Sequence, residues 1–268
     1  MSGMPPRTLL ERVTKIARQA GSEILEVYAS GAPATTAKAD DSPLTAADLR
    51  SHRLIVAALR ALTPDVPVLS EESARTPYAQ RAAWARYWLV DPLDGTREFL
   101  ARNGQFTVNI ALVEAHAPVL GVVHVPVTGA TYQGVPGLGA WRQSGAGAAQ
   151  PIHVQAHSAA PVRVVGSRSH RGDSLDGFLA RLGPHQLLPV GSSLKFCMVA
   201  EGAADVYPRL GPTSEWDTAA AHAVASGAGG TVVQLDGAPL RYNTREQLLN
   251  PHFVVYAGGE RDWLALLR

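Results

Sequence analysis

Apolar residues recur at steps of three or four through Leu9, Val13, Ile16, Ala20, Ile24 and Val27. They fall on one face of a long amphipathic helix that ends before Gly31. A second helical pattern runs from near Thr45 to Leu62, with Leu49, Ile55 and Leu59 inward and Pro64 as its stop. The period then shortens to short β-like runs at 66–70, 87–91, 106–113 and 119–125, separated by Gly, Pro, Asn and Asp, which predicts a mainly antiparallel sheet. Residues 129–140 predict a hairpin region, and the Gly/Ala-rich stretch 145–150 is the expected boundary between two halves, 1–148 and 149–268. In the second half, apolar runs at 162–166, 187–190, 231–235 and 253–256 alternate with helical patterns at 194–201 and 218–226, an α/β arrangement. Gly134, Gly137 and Gly139 lack the strand–loop–helix setting of a nucleotide-binding glycine loop and read as a turn cluster.

Composition narrows the function classes. Among 268 residues, 24 basic and 23 acidic side chains leave a net charge of +1, so nothing global calls for a nucleic-acid partner. A single cysteine, Cys197, excludes an internal disulfide framework and suits a reducing compartment. No stretch is long and apolar enough to predict an integral membrane segment or a secretory leader, so the expected location is the cytoplasm, with peripheral attachment to the inner membrane left open.

The candidate chemistry is acidic. Tyr87-Trp88-Leu89-Val90 delivers Asp91 at a strand end, where Pro92, having no N–H to donate, is expected to end the ladder. Across the turn, Asp91 and Asp94 can reach one hard cation, with the Leu93 carbonyl as a third oxygen. Gly95 lets the backbone approach a ligand, and Thr96 adds a hydroxyl at the start of a short helix. The same letters also fit a surface Asp-Gly turn. Two other acidic spots share this ambiguity: Glu71 lies at the end of the strand Val68–Ser70, and Asp217 precedes an Ala-rich helix, where it could equally be a cap. Lys38, Asp40, Asp41 and Asp48 surround Thr45, where a capping signal competes with a functional reading. Because every proposed ligand is an oxygen, Mg²⁺ is favoured over zinc. His124 and His222 sit in apolar patterns and are expected in the core.

In order along the chain stand Lys-x-Asp-x-Ser-Pro-x-Thr-x-x-Asp (38–48), Glu-Glu-Ser (71–73), Asp-Pro-Leu-Asp-Gly-Thr (91–96) and Trp-Asp-Thr-Ala-Ala (216–220). This series resembles the lithium-sensitive inositol monophosphatase superfamily. Within it, Gly191-Ser192-Ser193-Leu194-Lys195, Tyr207-Pro208-Arg209, Gly211-Pro212-Thr213 and Leu249-Asn250-Pro251 resemble the bacterial 3′(2′),5′-bisphosphate nucleotidases. The resemblance implies a layered αβαβα sandwich of α/β class and conversion of adenosine 3′,5′-bisphosphate to AMP and phosphate. It implies one Mg²⁺ on Glu71, Asp91 and the Leu93 carbonyl, a second on Asp91, Asp94 and Asp217, and room for a third at Glu71. Lithium inhibition is expected. Asp41 departs from the pattern and leaves open whether it or Asp40 faces the site.

On this reading Thr96 orients a water, and Asp48 or Asp40 takes the proton through the threonine hydroxyl. Leu93, Asp94, Gly95 and Thr96 cradle the scissile phosphate. Glu71 and Asp217 also border the substrate. Gly191, Ser192 and Lys195 are expected beside a phosphate or ribose, and Arg168 and His170 beside a second phosphate. The expected assembly is a monomer or homodimer acting on a small nucleotide. Alternatives are an inositol monophosphatase or sugar-bisphosphate phosphatase with the same chemistry, and a non-catalytic metal- or nucleotide-binding protein on the same scaffold.

Overall fold

The computed structural model describes residues 4–31, 35–37, 43–74, 76–158, 160–167, 173–259 and 261–267. Lys38, Asp40, Asp41, Arg168 and His170 therefore lie outside the described residues. The chain opens with α1 (Pro6–Ala29), the short ribbon β1 (Thr35–Ala37) and β2 (Pro43–Thr45), and α2 (Ala46–Leu62). There follow β3 (Val68–Ser70), a 3₁₀ turn at Glu71–Ser73, α3 (Tyr78–Arg81), β4 (Arg86–Asp94) and α4 (Thr96–Leu100). Next are β5 (Thr107–Glu114), β6 (Ala117–Val125), β7 (Ala130–Val135), β8 (Gly139–Ser144) and β9 (Gln150–Pro151). The second part comprises β10 (Val162–Ser167), α5 (Asp173–Leu182), β11 (His185–Val190), α6 (Leu194–Ala200), β12 (Val206–Arg209), α7 (Glu215–Gly227), β13 (Thr231–Gln234), β14 (Phe253–Tyr256) and α8 (Trp263–Leu267).

Strands β3 to β9 form a seven-stranded sheet in sequence order, and the second sheet runs β11-β10-β12-β14-β13. All pairs in the first sheet are antiparallel except β3 with β4. The 145–150 stretch is a bonded turn rather than a loose boundary. The Gly147 N–H donates to the Ser144 carbonyl and Gln143 Nε2 to the Gly147 carbonyl, and β9 then pairs back onto Trp141 and Arg142. The sheets change between Pro151 and Val162.

Period-two alternation splits β4 and β5 between two cores. Trp88, Val90, Val108 and Ile110 face α1 and α2, where they meet Val13, Ile24, Ile55 and Leu59. Tyr87, Leu89, Ala111 and Val113 face the opposite way, toward α6 and α7. A third core joins the outer face of the five-stranded sheet to α5 and α8 through Val164, Phe178, Val206, Val254 and Trp263. The result is the expected helix–sheet–helix–sheet–helix layering.

Two glycines set how closely the central helix lies on the sheet. A Cβ on Gly121 would stand 2.1 Å from the Ala220 carbonyl oxygen, and one on Gly134 would stand 2.3 Å from Val224 Cα. Only a bare strand backbone under an alanine face permits that approach. His124 is buried beneath α1 and bonded to Thr131, and burial lowers its pKa to about 4. His222 contacts the Tyr242 hydroxyl and is pushed down to about 3 by desolvation, so both histidines are neutral packing residues. Cys197 is buried, which pushes its thiol up. No helix among the described residues is long and apolar enough to cross a membrane.

Candidate active site

Pro92 does not end β4. The ladder breaks register between Asp91, paired with Asn109, and Asp94, paired with Thr107, so Pro92 and Leu93 form a bulge and pairing then resumes. The missing N–H is accommodated by that irregularity, and Ser51 Oγ on α2 donates to the Pro92 carbonyl at 2.7 Å. The bulge folds Asp91 and Asp94 toward one another, and Leu93 N–H donates back to Asp91 Oδ1 at 3.0 Å. Gly95 follows with φ of 90°, the left-handed conformation in which a side chain is strained, and Thr96 begins α4.

Asp91 continues the alternation of Tyr87 and Leu89 and therefore faces α7. Helix α7 presents Asp217 in its first turn, so Asp91, Asp94 and Asp217 bring one carboxylate oxygen each within 4.8 Å of one another. Asp217 caps α7 and also faces the cluster. Its Oδ2 accepts from the Ser214 N–H at 2.9 Å, as a capping residue does, and from Thr213 Oγ1 at 2.7 Å, while its carboxylate joins the cluster. Glu71, in the 3₁₀ turn after β3, lines the same cavity and shares a hydrogen bond with Asp91.

Burial first, then Glu71, Asp94 and Asp217, push the Asp91 carboxyl well above the carboxylate range. Asp94 is raised to about 6, chiefly by desolvation and next by Asp217. So many carboxyls cannot all ionise together without a cation. The donor set is all oxygen, converges on one point and suits a hard divalent cation.

Beside the cluster, Asp48 is fully buried and divides its two oxygens. Oδ2 accepts from the Thr45 N–H and Oγ1 at 2.8 and 2.6 Å, closing the capping box of α2, and Oδ1 faces Thr96 Oγ1 at 3.4 Å. The Thr96 hydroxyl also lies 3.5 Å from the Leu93 carbonyl.

Glu71, Asp91, Leu93, Asp94, Thr96 and Asp217 line a cavity of about 680 Å³, a size suited to a small-molecule ligand, with Asp48 buried behind Thr96. Its opposite wall is the turn Gly191-Ser192-Ser193 and the start of α6. Ser192 has φ of 50°, a left-handed conformation uncommon for a residue with a side chain. Gly191 packs where a Cβ would stand 2.7 Å from Glu98 Cγ, and its N–H donates to Gln105 Oε1 at 2.9 Å. Lys195 Nζ donates to the Ser192 carbonyl at 2.6 Å and lies 5.6 Å from the Tyr207 ring centroid. Desolvation lowers its pKa to about 8, partly opposed by Asp94.

The structure thus brings together Glu71, Asp91, Leu93, Asp94, Gly95, Thr96, Asp48, Gly191, Ser192, Lys195 and Asp217. The sequence reading gave no role to Arg209, which lines the cavity beside Lys195 and donates from Nε to the Gly211 carbonyl at 3.2 Å. It also gave none to Thr107, Asn109 and Ser193, which surround Asp94. The Tyr207-Pro208-Arg209 triplet was a visible signal for Arg209 and the Gly191-Ser192-Ser193 motif for Ser193, while Thr107 and Asn109 had no local one.

An acidic cluster at a sheet bulge, the Thr96–Asp48 pair beside it and a cation-walled cavity in an αβαβα sandwich define a metal-binding, phosphatase-type site. The chain belongs to the inositol monophosphatase family, whose model matches residues 7–262. It is 53% identical over 248 residues to the 3′(2′),5′-bisphosphate nucleotidase CysQ of Salmonella typhimurium, covering 92% of this chain and 99% of the relative. To the Escherichia coli K12 protein of that name it is 52% identical with the same coverage. Among solved structures it is similar to CysQ from Bacteroides thetaiotaomicron, with a TM-score of 0.82 and 44% identity over 94% of this chain and 98% of that one. An inositol monophosphatase from Anabaena, 24% identical with a TM-score of 0.73 over 98% and 95% of the two chains, shares the fold.

Proposed function

We propose that the protein is a Mg²⁺-dependent 3′(2′),5′-bisphosphate nucleotidase that hydrolyses adenosine 3′,5′-bisphosphate, or its 5′-phosphosulfate counterpart, leaving AMP or adenosine 5′-phosphosulfate and phosphate. The observation that carries the reading is the convergence of Asp91, Asp94 and Asp217 opposite a lysine–arginine wall in one cavity. The high identity to proteins named for this activity supports the substrate class.

Glu71, Asp91 and the Leu93 carbonyl would hold one cation, and Asp91, Asp94 and Asp217 another, with room for a third at Glu71. Bound there, such ions supply an activated water and charge neutralisation at the phosphate. The chain's own part is positioning and proton handling. Thr96 Oγ1 orients the attacking water and takes up its proton while passing its own to Asp48 Oδ1, whose second oxygen is anchored by Thr45. Asp40 lies outside the described residues, so Asp48 is the base for which the geometry speaks.

The backbone of 93–96 cradles the scissile phosphate, and Gly191, Ser192 and Asp217 border the ribose side. Lys195 and Arg209 oppose the second phosphate, with Arg168 and His170 as further contacts. The cleft lies between the two halves, 1–148 and 149–268. Lithium inhibits in this reading by competing for one of the cation positions. The enzyme works in the cytoplasm or on its inner-membrane face, as a monomer or homodimer.

The test is phosphate release across a panel of phosphomonoesters with and without Mg²⁺. Mg²⁺-dependent turnover that is fastest on adenosine 3′,5′-bisphosphate supports the reading. Faster release from inositol 1-phosphate moves the assignment to the alternative substrate, and no release from any ester overturns catalysis.

A further inference from the structure

Asp94 is approached by donors from both parts of the molecule. Ser193 N–H, at the turn before α6, donates to Asp94 Oδ2 at 2.5 Å. Asn109 Nδ2 and Thr107 Oγ1, both on β5, lie 3.3 and 3.4 Å from the same oxygen. These donors also bind each other. Ser193 Oγ donates to Asn109 Oδ1 at 2.8 Å, and Thr107 Oγ1 lies 2.9 Å from Ser193 Oγ. With the serine proton directed to Asn109, the single threonine proton is shared between Ser193 Oγ and the carboxylate. Thr107, Asn109 and Ser193 are all buried, so each of these groups relies on the network for its partners.

We propose that Thr107, Asn109 and Ser193 are positioning residues that hold Asp94 by its Oδ2 and so present Oδ1 to the cation shared with Asp91 and Asp217. The inference rests on the proposed function and deepens it. Three donors on one oxygen fix the rotation of the carboxylate, and neutral donors do so without competing for the cation's charge. The contact crosses the cleft: Ser193 belongs to the wall that carries Lys195, and Asp94 to the bulge that carries the cluster. The position of the substrate-side wall and the quality of one cation site are thereby linked through a single serine.

The experiment is calorimetric titration of the full chain with Mg²⁺ and with Mn²⁺, free of substrate, for the wild type, Ser193→Ala, Thr107→Val and the double variant. Both substitutions keep the shape of the side chain closely, and thermal melting checks that each variant folds. Outer-shell partners of this kind change cation affinity about 10- to 100-fold. We expect at least about a tenfold loss in one class of cation site with the other unchanged. Ser193→Ala keeps the backbone N–H on Asp94 and removes only the hydroxyl that ties Asn109 and Thr107 together, so the double variant should lose less than the product of the single losses because the two hydroxyls bond to each other. The Mg²⁺ concentration for half-maximal rate should rise in parallel, while the KM for adenosine 3′,5′-bisphosphate at saturating Mg²⁺ stays put. Unchanged cation binding in both folded variants overturns the proposal. So does a rise in KM with cation affinity intact, which would make Ser193 a substrate contact. A wild-type protein that binds neither cation overturns the proposed function itself, and it does so before any variant is made.

Discussion

Asp94, on the bulge of β4, and Asp217, at the start of α7, reach the same point and are held in opposite ways. Asp217 is fixed locally, by the N–H of Ser214 and the hydroxyl of Thr213, three and four residues before it. The helix start that carries it is itself anchored, since Glu215 Oε2 accepts from the Asn243 N–H at 2.8 Å and Glu215 is almost fully buried. Asp94 is fixed at long range, by groups 13, 15 and 99 residues away in sequence. One half of the site is therefore as firm as a helix cap, and the other depends on how the two sheets are assembled. A cation bridging them reports on both.

The largest expected effect removes charge from the shared point. Asp217→Asn should cut phosphate release about a thousandfold or more, roughly 4 kcal/mol of barrier, in a steady-state assay. Residual activity within tenfold of wild type would show that Asp94 and Asp91 suffice. Next, Gly121→Ala tests whether the locally fixed carboxylate is as firm as it looks. The new methyl meets the Ala220 carbonyl, so stability should fall by about 1–3 kcal/mol by denaturant titration, with activity falling further than the loss of folded protein explains. An unchanged midpoint would mean that α7 can slide.

A smaller effect is expected for Thr213→Val, which leaves the Ser214 contact to Asp217 in place. Losing one hydrogen bond to a charged group, about 1.5–3 kcal/mol at most, should weaken cation affinity by no more than about a hundredfold, without the cross-cleft non-additivity expected at Ser193. The mildest is a pH effect. Lys195 has its pKa lowered to about 8 by burial, so it is charged below that pH and neutral above it. Affinity for a bisphosphate should fall as pH rises through about 8, seen as a rise in KM, and Lys195→Met should flatten the profile while raising KM at pH 7.

The local half of this contrast was the part readable in the sequence. Glu71, Asp91, Asp94, Thr96 and Asp217 sit at strand ends, turns and a helix start, where residue type and spacing carry meaning. The long helices and most strands followed from periodicity, with ends displaced by a few residues. Asp217 resisted a single reading because capping and coordination ask for the same side chain, and it both caps α7 and joins the acidic cluster. Pro92 misled, because a proline with no N–H to offer normally ends a ladder, and here a bulge absorbs it. Thr107 and Asn109 were silent, and Ser193's tie to them was hidden, because an interior strand and a turn more than eighty residues away share no period. Short elements such as α3 and β9 hold too few residues to display one.

The bare backbone of Gly121 and Gly134 beneath α7 has one more consequence. Ala220 lies three residues from Asp217, about 4.5 Å along the helix axis. The height of this carboxylate above the sheet is thus gauged by backbone resting on backbone, with no flexible side chain between them. Longer side chains in that seam would act as a shim. Sequence drift at these glycines would then move a carboxylate of the cluster as well as strain the packing of α7.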